Sequence, residues 1–139
     1  MAFQHIHFVS SGVDIAEEAR ARLVHRHGQA PLGEADVIVA LGGDGLMLST
    51  LHATKGLGLP VYGMNRGTVG FLMNEYVEGG LVERLGAAEE AVINPLRMRA
   101  TDAAGRVTEA LAINEVSLLR AGPQAARLRI FVDGRERMA

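Results

Sequence analysis

The sequence contains no cysteine, so disulfides, thiolate nucleophiles and cysteine-ligated zinc are excluded. It has no tryptophan and only 4% aromatic residues, too few for a surface that stacks single-stranded bases. An excess of basic charge is missing too, with 14 Lys and Arg against 16 Asp and Glu and a net charge of −2. Bulk binding to nucleic acid or to an anionic membrane needs a basic surface that releases counterions, so neither is an expected partner. No apolar run is long enough to span a bilayer, and the N-terminus lacks a basic-then-apolar signal pattern. The expected compartment is the cytoplasm. Two common phosphate-binding fingerprints are also absent: there is no Gly-Lys-Ser/Thr, and no Gly-x-Gly-x-x-Gly follows the first predicted strand.

What is present is about one domain's worth of chain, 139 residues with 48% apolar and 22% charged side chains, enough to fill a core. His5–Val9 predicts a short strand running into a Ser10-Ser11-Gly12 loop. Asp14 and Glu17 have the spacing of a capping box, Ile15, Ala19 and Leu23 form an apolar stripe, and Gly28 ends the predicted helix. Val37–Leu41 is apolar at every position, which suits a strand covered on both faces and therefore a parallel sheet. Met47, Leu48, Leu51 and Lys55 continue on helical spacing, and Pro60–Met64 predicts a third strand. A last helix is expected from Leu81 to Leu85, extending toward Glu90. The fold class expected for 1–94 is α/β, an open, mostly parallel, three-layer Rossmann-like domain.

From Pro95 the texture changes to antiparallel β. Leu96–Thr101 alternates apolar and polar, Asp102–Gly105 predicts a turn, and Val107 onward alternates again. Leu128–Val132 predicts another strand, followed by the hairpin dipeptide Asp133-Gly134. The arm after that turn is short enough to leave its partner strand half paired, so residues 95–139 are expected to be the beginning of a β-rich domain in a longer protein.

Gly42-Gly43-Asp44-Gly45 is the densest chemical signal. It joins a buried strand to a helix N-terminus, where backbone N–H groups and the helix dipole favour phosphate. A carboxylate there repels phosphate. It makes sense as the acceptor of a proton from a hydroxyl attacking phosphorus, or as a holder of a divalent metal. The plain alternative is that Asp44 only caps the helix. Asn65-Arg66-Gly67-Thr68-Val69-Gly70-Phe71-Leu72 follows the third strand, and on pattern alone it is an ordinary turn with Phe71 packed in the core. Asn114-Glu115 interrupts an apolar stretch. If that stretch is a strand, the two side chains take opposite faces and one is buried, needing a partner such as a nucleotide hydroxyl. His5, His7, His25, His27 and His52 show no metal-ligand spacing and are expected to be structural or solvated.

Taken together, Gly42-Gly43-Asp44-Gly45, Asn65-x-Gly67-x-x-Gly70-Phe71-Leu72 and Asn114-Glu115 resemble the NAD kinases in both order and spacing. The tetrapeptide alone is shared with phosphofructokinases and with diacylglycerol and sphingosine kinases. In those lipid kinases it usually continues into Thr-x-Asn-Glu-Val, whereas here Leu46-Met47-Leu48 follows. The resemblance implies phosphorylation of the 2′-hydroxyl of the adenosine ribose of NAD, with ATP or polyphosphate as donor, to give NADP. It implies that Asp44 takes the hydroxyl proton and that Gly42 and Gly43 form the phosphate loop. Gly45 would contact the nucleotide through its backbone, Phe71 would line the site, and Asn114 with Glu115 would hold the dinucleotide. Mg2+ would ride on the donor phosphates without a protein ligand. A homodimer or homotetramer is implied as well, and the family's β-rich lobe carries further nucleotide-gripping loops that this sequence does not contain. The alternatives are a lipid or sugar kinase of the same superfamily and a non-catalytic nucleotide-binding domain.

Overall fold

Val37–Gly42 (β2) is buried at all six positions, as the middle strand of a parallel sheet must be. Ile6–Ser10 (β1) and Val61–Asn65 (β3) flank it, both parallel, in the order β1-β2-β3. The register pairs Ile6 with Val37 and Phe8 with Val39 on one side, and Ile38 with Val61 and Gly42 with Asn65 on the other. These elements come from a computed structural model that describes residues 3–67 and 70–138. It divides into two units, Met1–Pro95 and Leu96–Ala139, each described by itself below.

In the first unit, Asp14–His27 (α1), Asp44–Thr54 (α2) and Leu81–Ala87 (α3) cover the sheet. Ile6, Phe8, Val37, Val39, Leu41 and Met64 share one face of the sheet and pack with Ala19 and Leu23 of α1 and with Leu81 and Leu85 of α3. Gly63 has the opposite parity to Met64. A Cβ on Gly63 would fall 2.6 Å from Met47 Cε of α2 and 2.5 Å from Met73 Sδ, so α2 covers the other face. Helices therefore lie on both sides of a parallel sheet, the three-layer α/β arrangement expected from the sequence. No helix among the described residues is long and apolar enough to cross a membrane.

Local chemistry departs from expectation at α1. Asp14 is the first helical residue rather than the cap, Val13 occupies the cap position, and no side-chain cap bond forms. Glu17 instead accepts the Ser10 hydroxyl and faces Arg20 Nη1 at 3.6 Å, so the capping box is replaced by a tie to the end of β1. The buried stripe is Ala16, Ala19 and Leu23, while Ile15 is 46% exposed. One residue's rotation, about 100°, carries Ile15 off the core face. Gly28, at φ +80°, ends the helix and donates its N–H to Val24 O at 2.8 Å, as predicted for that glycine. The helix α3 stops at Ala87, short of Glu90.

In the second unit, Leu96–Thr101 (β4) and Val107–Ala112 (β5) form an antiparallel hairpin. Its turn is organised by Asp102, whose Oδ1 accepts the N–H groups of Ala104 and Arg106, both at 2.9 Å, and whose Oδ2 accepts Arg106 Nε at 2.7 Å. The Arg106 backbone N–H, the Arg106 guanidinium and the Ala104 N–H hold this carboxyl below its ordinary range. Ile130–Val132 (β6) pairs antiparallel with Arg135–Met138 (β7). Asp133 and Gly134 between them both have positive φ, +50° and +74°, as a type I′ turn requires. The predicted strand from Leu128 starts two residues later, at Ile130.

Candidate active site

The end of β2 feeds α2 with no spacer. Gly42 closes the strand, Gly43 stands at the cap position and Asp44 opens the helix. Gly42 is buried, and a Cβ there would lie 2.9 Å from Leu46 Cδ2 and 3.0 Å from Ser11 Cβ. Strand end, following helix and β1 loop thus meet only because that side chain is missing. Gly43 is half-buried and Gly45 exposed, and a Cβ on Gly45 would meet nothing within 4 Å.

The segment after β3 folds back over this junction. Arg66 donates its N–H to Gly42 O at 2.8 Å, and its guanidinium carbon stands 4.2 Å over the Tyr76 ring. Gly67 donates to Asn65 Oδ1 at 3.1 Å. Further on, Asn65 N–H bonds Asn74 O and Asn74 N–H bonds Gly63 O, each at 2.8 Å, so the returning chain runs alongside the end of β3. The side-chain amide of Asn74 donates to Gly63 O at 3.0 Å. Thr68 and Val69 of the sequence motif lie outside the described residues.

Between these two segments lies the half-buried carboxylate of Asp44. Oδ2 accepts the N–H of Phe71 at 2.8 Å, and Oδ1 accepts the N–H of Leu72 at 2.9 Å. Such charge-assisted pairs are short and about twice as strong as neutral hydrogen bonds. The aspartate therefore reaches across the sheet edge to a loop 27 residues away in sequence, rather than to its own helix as the capping alternative requires. Gly70 is what allows the approach, since a Cβ there would lie 2.3 Å from Asp44 Oδ1. Phe71 is not in the core; its side chain is completely exposed, displayed at the same edge. A carboxylate has about four lone-pair directions, so two remain after the loop bonds are made.

Asn114 and Glu115 belong to the second unit. They lie just beyond β5 rather than within a strand, and both are exposed, so the expectation that one is buried does not hold. The reason is register: β5 ends at Ala112, opposite Leu96, the first residue of its partner. Of the residues singled out from sequence, the first unit gathers Gly42, Gly43, Asp44, Gly45 and Phe71 at one sheet edge. Two contributors to that geometry were not foreseen: Gly70 as the glycine that touches Asp44, and Asn74 as the residue that pins the loop's return. The Gly67/Gly70 spacing carried a signal for the first. An isolated polar residue gave none for the second.

Among the described residues, no group of three or more His, Asp or Glu is arranged to hold a metal ion. His7 uses Nδ1 on Ala30 O at 2.8 Å, and His5 stands 4.0 Å from Asp36.

This chain is similar to a known family over the same residues. The family model described as ATP-NAD kinase N-terminal domain matches residues 10–78. A protein of Cereibacter sphaeroides named NAD kinase is 63% identical over 138 residues, which is 99% of this chain and 54% of that protein. One of the same name from Caulobacter vibrioides is 60% identical over 123 residues, 88% of this chain and 47% of its own length. Another from Hyphomonas neptunium is 55% identical over 133 residues, 96% and 52% respectively. The chain spans about half the length of the curated relatives it matches.

Proposed function

We propose, from the premise that this chain belongs to the NAD kinase family, that the whole protein transfers a terminal phosphate from ATP or polyphosphate to the 2′-hydroxyl of the adenosine ribose of NAD, giving NADP. Residues 1–94 are its nucleotide-binding domain and 95–139 the start of its β-rich domain. The observation that carries the reading is the Asp44 carboxylate, held at the carboxyl edge of a parallel sheet by two loop N–H groups instead of by its own helix. Ligands of open α/β sheets bind at that edge.

Asp44 takes the proton of the ribose hydroxyl on one of its free lone pairs as the oxygen attacks phosphorus. A positioned base contributes roughly 10²–10⁴ in rate. Gly42 and Gly43 give the donor phosphates backbone access at the start of α2, and Gly45 lets the dinucleotide approach the backbone. Phe71 offers an apolar face to the nucleotide, and Asn114 and Glu115 are, by the family resemblance, dinucleotide-binding residues as well. A hard divalent cation wants about six oxygen ligands. Among the described residues no group of three or more His, Asp or Glu forms such a set. Mg2+ is carried into the site on the phosphates of the donor substrate. The working protein is a cytoplasmic homodimer or homotetramer.

The test is NADP formation by the full-length protein and its Asp44→Asn variant, with Mg-ATP and NAD, alongside lipid and sugar acceptors. The expected result is NADP from the wild type, and a fall of roughly 10²–10⁴ in kcat in the variant. Near-normal turnover by Asp44→Asn removes Asp44 as the base. Phosphorylation of a lipid or sugar in place of NAD overturns the substrate.

A further inference from the structure

We infer that Gly70, together with the backbone N–H groups of Phe71 and Leu72, positions the Asp44 carboxylate for proton transfer; this rests on Asp44 being the base. A carboxylate on the first residue of a helix turns freely about two side-chain bonds, and the unpaired amides of its own first turn attract it. Bonded there, it would face into its own helix. The loop wins this competition by offering two N–H groups side by side, one to each oxygen, at 2.8 and 2.9 Å. A fork of that kind fixes the plane of the carboxylate as well as its position, and leaves its other lone pairs to the substrate.

Gly70 is the condition for that fork. The three atoms nearest to a Cβ built on it all belong to Asp44: Oδ1 at 2.3 Å, Cγ at 2.5 Å and Oδ2 at 2.8 Å. The obstacle to a methyl group at this position is the carboxylate. The bonds also leave a signature separable from burial. Phe71 is completely exposed and Leu72 40% exposed, yet both amides are occupied.

The experiment compares full-length wild type, Gly70→Ala, Asp44→Ala and the double variant. In Gly70→Ala, kcat is expected to fall about 100-fold, the scale of a 1 Å misplacement of a reacting group, while KM for the donor stays near wild type. Amide hydrogen exchange at Phe71 and Leu72 is expected to be slow in the wild type and to rise roughly 10–100-fold in Gly70→Ala and in Asp44→Ala. Gly70→Ala is expected to lower Tm more in the wild-type background than in the Asp44→Ala background, because the clash with the carboxylate is then gone. Wild-type kcat in Gly70→Ala, persistent slow exchange at those amides, or an equal Tm loss in both backgrounds overturns the inference. The two readings fail differently. Full turnover by Asp44→Ala ends both, whereas an inactive Asp44→Ala beside a fully active Gly70→Ala ends only the positioning role.

Discussion

Gly45→Ala separates the demands of the fold from those of the ligand, because they predict effects of opposite sign. Gly45 is the second residue of α2, it is exposed, its φ is not positive, and a Cβ there would meet nothing within 4 Å. The free protein therefore has room for alanine. The substitution also restricts the unfolded chain and improves helix propensity, which together stabilise by about 0.4–1 kcal/mol. For a protein of about 150–250 residues that is a rise of roughly 1–4 °C in Tm. If Gly45 is glycine because the dinucleotide lies against its backbone, the same methyl group intrudes on the bound nucleotide. One methyl forced into a filled contact costs about 1–3 kcal/mol, or roughly 5–150-fold in NAD affinity. The assay is a thermal melt of the full-length variant without ligand, followed by calorimetric titration with NAD. A higher Tm with undiminished NAD affinity refutes the nucleotide contact. A lower Tm refutes the claim that the position is open.

Gly42→Ala, two residues before the aspartate, is expected to do the reverse in the free protein. Its Cβ would press on Leu46 Cδ2 at 2.9 Å and Ser11 Cβ at 3.0 Å, so a loss of about 1–3 kcal/mol is expected in a denaturant melt, and an unchanged midpoint contradicts the close packing. In the second unit, the depressed Asp102 carboxyl makes the first hairpin acid-sensitive. Because the folded-state value lies below the unfolded one, the turn's stabilisation is complete above the ordinary carboxylate range and is lost as pH falls through the depressed value. Exchange of the Arg106 amide followed against pH checks this, and Asp102→Asn should flatten the profile; an acid-insensitive wild type contradicts it.

Elements whose pattern is set by local burial were readable in advance. Val37–Leu41 could be assigned to a covered strand because every residue is apolar, and Gly28 and Asp133-Gly134 could be assigned to a helix end and a turn because φ > 0 is required there. The misreadings come from competition between partners for one side chain. Glu17 had the spacing to cap α1, but the Ser10 hydroxyl at the end of β1 claimed it. On α2 the buried residues are Met47, Thr50 and Thr54, and Thr54 is tolerated there because its hydroxyl donates to Thr50 O at 2.8 Å within the same helix. Asn114-Glu115 looked embedded in a strand only because the limit of β5 is set by the length of β4, which lies outside the local window.

The same competition explains why the arrangement around Asp44 was half visible. Its place could be read from four residues, since the covered strand ends and the helix begins within Gly42-Gly43-Asp44-Gly45. Its orientation could not, because that depends on where the chain goes after β3. The return is fixed by Asn74, whose backbone and side-chain amides both bond Gly63 O and so bring the amides of Phe71 and Leu72 level with the start of α2. Sequence thus supplies the carboxylate and the glycine that admits it, while the parallel pairing of β2 with β3 supplies the distance between them. It follows that a change which shifts the end of β3 without touching either glycine loop should disturb Asp44 as much as a substitution at Gly70 does.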